Sequence, residues 1–236
     1  MHLIADIHTH TIASGHAYGT IREMAQAAAE CGLQIIGFAE HAPGIPGTCN
    51  PFYFSNFEVI PREMHGVKLI HGCEINVLSG GKLSLDQNYI DKLDFAIIGI
   101  HKHCYKNEGI VQNTDNLISC MQNEKVKLVA HPDDNRMPLD YERLTDAAIA
   151  SHTALEVNNS SLVKCDRRLG CYENYRIMLR LCSKKKVPIM VSSDAHDPSQ
   201  VGCFKLAKEL LHEVDFPEEL VLNTSCEKLM TFLCGQ

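Results

Sequence analysis

Seven short apolar runs punctuate this chain, and six of them end in a residue type that binds transition metals. The runs are Leu3–Ile7, Gln34–Phe38, Val67–Ile70, Phe95–Ile100, Lys127–Ala130, Ala154–Val157 and Pro188–Val191. Just past them stand His8 and His10, His41, Glu74, His101, His131, and Asp194 with His196. Segments with helical spacing separate the runs: residues 21–31, 87–93, 113–123, 140–151, 172–186, 205–214 and 227–233. Strands alternating with helices predict a parallel sheet, and near-continuous apolar runs predict strands buried on both faces. In an open sheet the two ends of this ligand series would lie far apart. In a barrel all strand ends meet at one mouth. The spacing therefore predicts an α/β chain folded as a distorted, seven-stranded (β/α)7 TIM-like barrel.

Pairs two residues apart strengthen this reading, because such residues share a strand face. Asp6, His8 and His10 are expected on one face, as are Ser192, Asp194 and His196. One metal could then draw two ligands from a single strand end. Asp6 is a candidate to orient His8 or His10.

With 236 residues the chain is long enough for one large domain, 1–236, and short for two ordinary ones. Its net charge of −7 argues against a broad nucleic-acid-binding face, though not against one local cationic pocket. The 11 cysteines are odd in number and form no CxxC pair, so neither a disulfide framework nor a thiolate zinc knuckle is expected. Scattered thiols fit a reducing cytoplasmic setting, and Asp6 interrupts the first apolar run too early for a signal peptide. No run approaches a membrane span.

Asp6-Ile7-His8-Thr9-His10, His16, Glu40-His41, Gly72-Cys73-Glu74-Ile75-Asn76, His101, His131-Pro132 and Ser193-Asp194-Ala195-His196 together resemble the PHP (polymerase and histidinol phosphatase) family. The match runs end to end. Glu156-x-Asn158-Asn159-Ser160-Ser161 and Asp215-Phe216-Pro217 look most like its YcdX-like phosphatase branch. The resemblance implies a trinuclear site, usually zinc, with manganese or iron as alternatives. Carried over, His8, His10, Glu74 and Asp194 would hold one metal. Glu74 would bridge to a second, held also by His101 and His131, and His16, His41 and His196 would hold a third. Glu40 departs from the family pattern, which has Asp before the His.

Seven neutral imidazoles, two carboxylates and three divalent ions would leave such a site at roughly +4, a charge suited to phosphate rather than to a neutral amide. The expected function is a phosphoric monoester hydrolase that uses a metal-bridging hydroxide, with Glu74, Asp194 and His196 central to catalysis. A phosphodiesterase or exonuclease and a histidinol phosphatase of the same family are the near alternatives. A deaminase of the amidohydrolase type fits less well, because of Glu74 and the Asp194–His196 pair. A non-catalytic metal-stabilised module is the alternative from another class. Asn158, Arg167, Arg168 and His103 are candidate contacts for a small phosphorylated substrate. His71 lies on the face opposite Glu74 and is expected to pack against helices. No nucleic-acid or membrane partner is expected.

Overall fold

The first apolar run forms β1 (Ala5–Thr9), and the chain continues through α1 (Ile21–Glu30) into β2 (Ile35–His41). Next come β3 (Glu63–Met64), β4 (Val67–Leu78), β5 (Lys82–Leu83), α2 (Gln87–Ile90), β6 (Phe95–Gly99), α3 (Ile110–Cys120), β7 (Val126–Val129) and α4 (Tyr141–Ala150). The remainder is β8 (Ala154–Asn158), α5 (Asn159–Val163), α6 (Cys171–Lys185), β9 (Ile189–Ser192), α7 (Lys205–Glu213) and α8 (Cys226–Cys234). This is a computed structural model, and it describes residues 1–234.

Seven parallel strands run in the order β1-β2-β4-β6-β7-β8-β9, with the short β3 and β5 pairing antiparallel to β4. The two ends of the sheet meet at a parallel bridge between Thr9 and Ala195, where the His10 N–H donates to the Ala195 carbonyl at 2.8 Å. The sheet is thus a nearly closed, distorted TIM-like barrel, as the sequence predicts. Lower on the same seam a side chain takes the place of strand pairing. The Asn223 amide donates to the carbonyls of Ala5 and Val191, both at 2.8 Å, and its Oδ1 accepts from Val191 N–H at 3.2 Å.

Two apolar layers hold the barrel. Ile7, Ile35, Ile70, Phe95, Ile97, Leu128 and Met190 fill the interior, and Leu229, Phe232 and Leu233 of α8 join that cluster. Ile36, Leu69, Ile98 and Val191 face outward in the layer that also holds Leu117, Leu179 and Leu210 of the surrounding helices. Fully burying each large apolar side chain contributes about 1.5–3 kcal/mol. Both faces of the strands are therefore apolar, which is why the sequence runs show no alternation. Among the described residues no helix is long and apolar enough to cross a membrane.

Three local features differ from the sequence expectation. β4 is longer than its apolar run and carries Glu74 in its interior, because Ile75 and Val77 continue the outer layer. α3 begins at Ile110, three residues before Asn113. Asn113 lies buried inside the helix, and its amide donates to Asn107 Oδ1 and the Pro138 carbonyl. Third, β1 contains a bulge: Asp6 pairs with Ile36 and Thr9 with Phe38, so three steps on β1 match two on β2. The bulge turns Asp6 to the outer side while His8 and His10 point inward. Asp6 instead accepts from the N–H groups of Ser193 (3.2 Å) and Gly202 (3.1 Å), so it orients the loop after β9 and no histidine.

Candidate metal centre

Glu74 stands at the centre of the C-terminal mouth, fully buried on β4. Its Oε1 lies 3.0 Å from His101 Nε2 and 2.9 Å from His131 Nε2. Its Oε2 lies 2.8 Å from His41 Nδ1, 3.4 Å from His8 Nε2 and 3.6 Å from His10 Nε2. Asp194 Oδ1 faces His10 Nε2 at 3.3 Å, His196 Nδ1 at 3.5 Å and His8 Nε2 at 3.7 Å. His16, on the exposed loop before α1, reaches His196 Nε2 with its own Nε2 at 3.2 Å. All nine residues expected as ligands thus come together. Three subsets offer donor atoms within 4.8 Å of one another: His8/His10/Asp194, His41/Glu74/His101 and His10/His41/His196. His41 stands between the last two, closer to Glu74 than its expected grouping with His16 and His196 implies.

The backbone is shaped to make this convergence. His131 and Asp194, just beyond β7 and β9, have positive φ values of 31° and 54°, conformations that L-residues adopt at a cost. Gly99 leaves the space beneath the cluster, since a Cβ there would come within 3.0–3.1 Å of His101, Glu74 and His131.

A second ring of contacts fixes how each imidazole points. His8 Nδ1 is 2.6 Å from Glu156 Oε1. His101 Nδ1 is 2.8 Å from Asn76 Oδ1, whose own amide donates to Pro43 and Ser84, so the imidazole supplies the proton. His16 Nδ1 donates to the Ser14 carbonyl and His196 Nδ1 to that of Asp194. For His10 the chain is longer. Ser14 Oγ donates its one proton to Glu40 at 2.6 Å and therefore accepts from the His41 N–H and from His10 Nδ1, both at 3.1 Å. Five imidazoles are thus held at Nδ1 and turn Nε2 toward the cluster. His8 Nε2, His10 Nε2, His41 Nδ1 and Glu74 Oε2 are buried with no hydrogen-bond partner. Lone pairs facing one another in this way call for a cation, and nitrogen with carboxylate oxygen is the donor set of zinc and its neighbours.

The charges agree. Burial opposes the charged forms of Glu74 and Asp194, yet the surrounding imidazoles hold both carboxyls well below their usual range. Burial would depress His8, but Glu156, Glu74 and Asp194 overcome it and hold His8 well above its ordinary value. His10 goes the other way, pushed far down by burial and by His41 and His196.

The candidate substrate contacts separate. Asn158 is buried and spends its amide on Glu156 Oε2 (3.0 Å) and Asp194 Oδ2 (3.2 Å). Arg168 forks onto buried Asp133 with two 2.8 Å bonds and donates to the His131 carbonyl at 2.9 Å. It therefore steadies the strained His131 backbone. Arg167 is exposed on its loop, 3.6 Å from Asp166. His103 lines a cavity beside His101 and His131. His71 faces away from the cluster, stacked on Phe38 of β2 and on Phe57, rather than on the barrel helices alone. The sequence reading assigned no role to Glu156. An acidic residue inside an otherwise apolar run was the available signal.

Fold and cluster together define a class: parallel barrels that gather histidines and carboxylates at the C-terminal mouth. The chain belongs to the PHP family, whose domain model matches residues 6–160. It is 37% identical to a probable phosphatase of Clostridium novyi, over 99% of this chain and 95% of that one. It is 39% identical to a probable phosphatase of Caldanaerobacter subterraneus, over 99% and 92%. In fold it is similar to the histidinol phosphate phosphatase of Lactococcus lactis, crystallised with zinc, L-histidinol and phosphate, with TM-score 0.61, 18% identity and coverage of 90% and 94%. A chain in the cryo-EM structure of archaeal ribonuclease P with mature tRNA is similar at TM-score 0.60, 17% identity and coverage of 98% and 90%.

Proposed function

We propose that the protein is a metal-dependent phosphatase that hydrolyses small phosphomonoesters at a three-metal site. His8, His10, Glu74 and Asp194 hold the first ion, Glu74, His101 and His131 the second, and His16, His41 and His196 the third. The carrying observation is the set of buried, unpartnered donor atoms around Glu74 Oε2, 2.8–3.6 Å from three imidazoles. The probable-phosphatase relatives, aligned over almost the whole chain, support the reaction class.

Divalent ions at such a site neutralise phosphoryl oxygens and lower the pKa of bound water. The chain's own task is to hold those ions. Glu156, Ser14 with Glu40, and Asn76 lock the imidazoles in the orientation that presents Nε2, so little reorganisation is needed on binding. In the net reaction water oxygen bonds to phosphorus, the ester P–O bond breaks, and a proton goes to the departing alcohol.

The test is metal content by plasma mass spectrometry together with a phosphomonoester screen. About three equivalents per chain and turnover that chelation abolishes are expected for the native protein. Glu74→Gln removes a bridge and a charge, and survival of both metal content and turnover in that variant would overturn the reading.

A further inference from the structure

A cavity of about 340 Å³ opens beside the cluster, between the segments that follow β6 and β7. That volume lies at the small end of ligand pockets, which span roughly 300–1,000 Å³. His101 and His131 form its wall toward Glu74. Its floor is apolar: Ile100, Leu117, Val129, Ala130, Met137 and Leu139. Leu117 and Val129 belong to the layer between sheet and helices, so the cavity reaches into the core. Of the charged and titratable side chains that line it, Lys102 and His103 are exposed, and two arginines are paired with carboxylates. Arg168 is forked on Asp133, and Arg136 places its Nε 2.8 and 3.0 Å from the two oxygens of Asp134. Both guanidiniums are thereby tied to carboxylates.

We infer that this cavity seats the organic half of the substrate, and that the substrate is a phosphomonoester of a compact apolar alcohol rather than of a sugar or polyol. The inference rests on the phosphatase reading above. A phosphoryl group at Glu74's cluster, with its ester oxygen toward His101 and His131, directs the carbon chain onto Met137 and Leu139. A hydroxyl carried onto that floor would lose water against apolar side chains alone, while Lys102 and His103, which also line the cavity, are exposed.

The test is an alkyl series of near-constant leaving-group basicity: ethyl, butyl and hexyl phosphate, with glycerol 1-phosphate as the polar counterpart. Each methylene entering the floor should raise kcat/KM about fourfold until the cavity is filled, the factor equivalent to about 0.8 kcal/mol. Glycerol 1-phosphate should fall below butyl phosphate. Met137→Trp should flatten the series, and because the chain has no native Trp its indole reports its own surroundings. Blue-shifted emission, with or without metal, is expected of a ring inside the cavity. Emission from a solvated ring would overturn the inference, since an apolar cavity of this size would have taken it in. A flat or reversed series in a protein that does turn over phosphomonoesters would also overturn it, leaving the phosphatase reading intact. Failure to hydrolyse any ester would overturn that reading and this inference with it.

Discussion

His8 Nδ1 lies 2.6 Å from Glu156 Oε1, both groups buried, and the second oxygen of Glu156 accepts from the His131 N–H at 2.6 Å. One carboxylate on β8 thus sets the direction of an imidazole on β1 and the backbone of a candidate ligand after β7. Glu156→Gln keeps the shape and removes the charge. Metal affinity should fall about 10- to 100-fold, the usual cost of losing such an outer contact. Chelator competition on native and variant protein measures it, and unchanged affinity would remove Glu156 from the account.

Gly15 has φ of +79°, and a Cβ there would stand 2.0 Å from the Gly47 carbonyl oxygen. Gly15→Ala must therefore displace the loop that carries His16. We expect about one metal equivalent to be lost and the other two retained, with His8, His10, Glu74, His101 and His131 untouched. Loss of all metal, or of none, by plasma mass spectrometry would contradict the three-site assignment.

His71 is buried against Phe38 and Phe57, its two ring nitrogens have no partner, and burial lowers its pKa to about 4. The folded state therefore favours the neutral ring. Its stabilising contribution is complete above the unfolded value near 6.5 and is lost as pH falls from there through about 4. The full swing is of order 3 kcal/mol. His71→Phe keeps the stacking and cannot take a proton, so its melting temperature should fall less between pH 7 and pH 4 than that of the native protein. Parallel pH profiles would contradict this.

Asn223 makes three hydrogen bonds to main-chain groups of Ala5 and Val191. Asn223→Ala strands those groups in a buried seam, at about 1–3 kcal/mol for each one left unsatisfied. The unfolding free energy should drop by roughly 3 kcal/mol or more in a denaturant titration. A loss under about 1 kcal/mol would mean that the seam relaxes or admits water.

The barrel and its mouth were legible because burial on both strand faces writes unbroken apolar runs, and because ligand residues sit where those runs stop. The nine converging residues could be named from that pattern and from the family resemblance. What escaped was set by distant or irregular geometry. A bulge in β1 moved Asp6 to the other face, and no composition signal announces a bulge. Arg168 reads as a phosphate clamp only until Asp133, 35 residues away, is seen to occupy its fork. α3 starts at Ile110, three residues before the segment read from the sequence, and the buried Asn113 side chain serves the Asn107 and Pro138 segments.

The side-chain closure at Asn223 also bears on how the molecule is made. Asn223 is 218 positions from Ala5, so β1 leaves the ribosome long before its partner across the seam exists. Until residue 223 emerges, the part of the seam between Ala5 and Val191 lacks its closure, leaving main-chain groups there able to pair with other chains. Synthesis interrupted just before that point would yield nearly every helix and every barrel strand, but a seam bridged only at Thr9 and Ala195 and open between Ala5 and Val191.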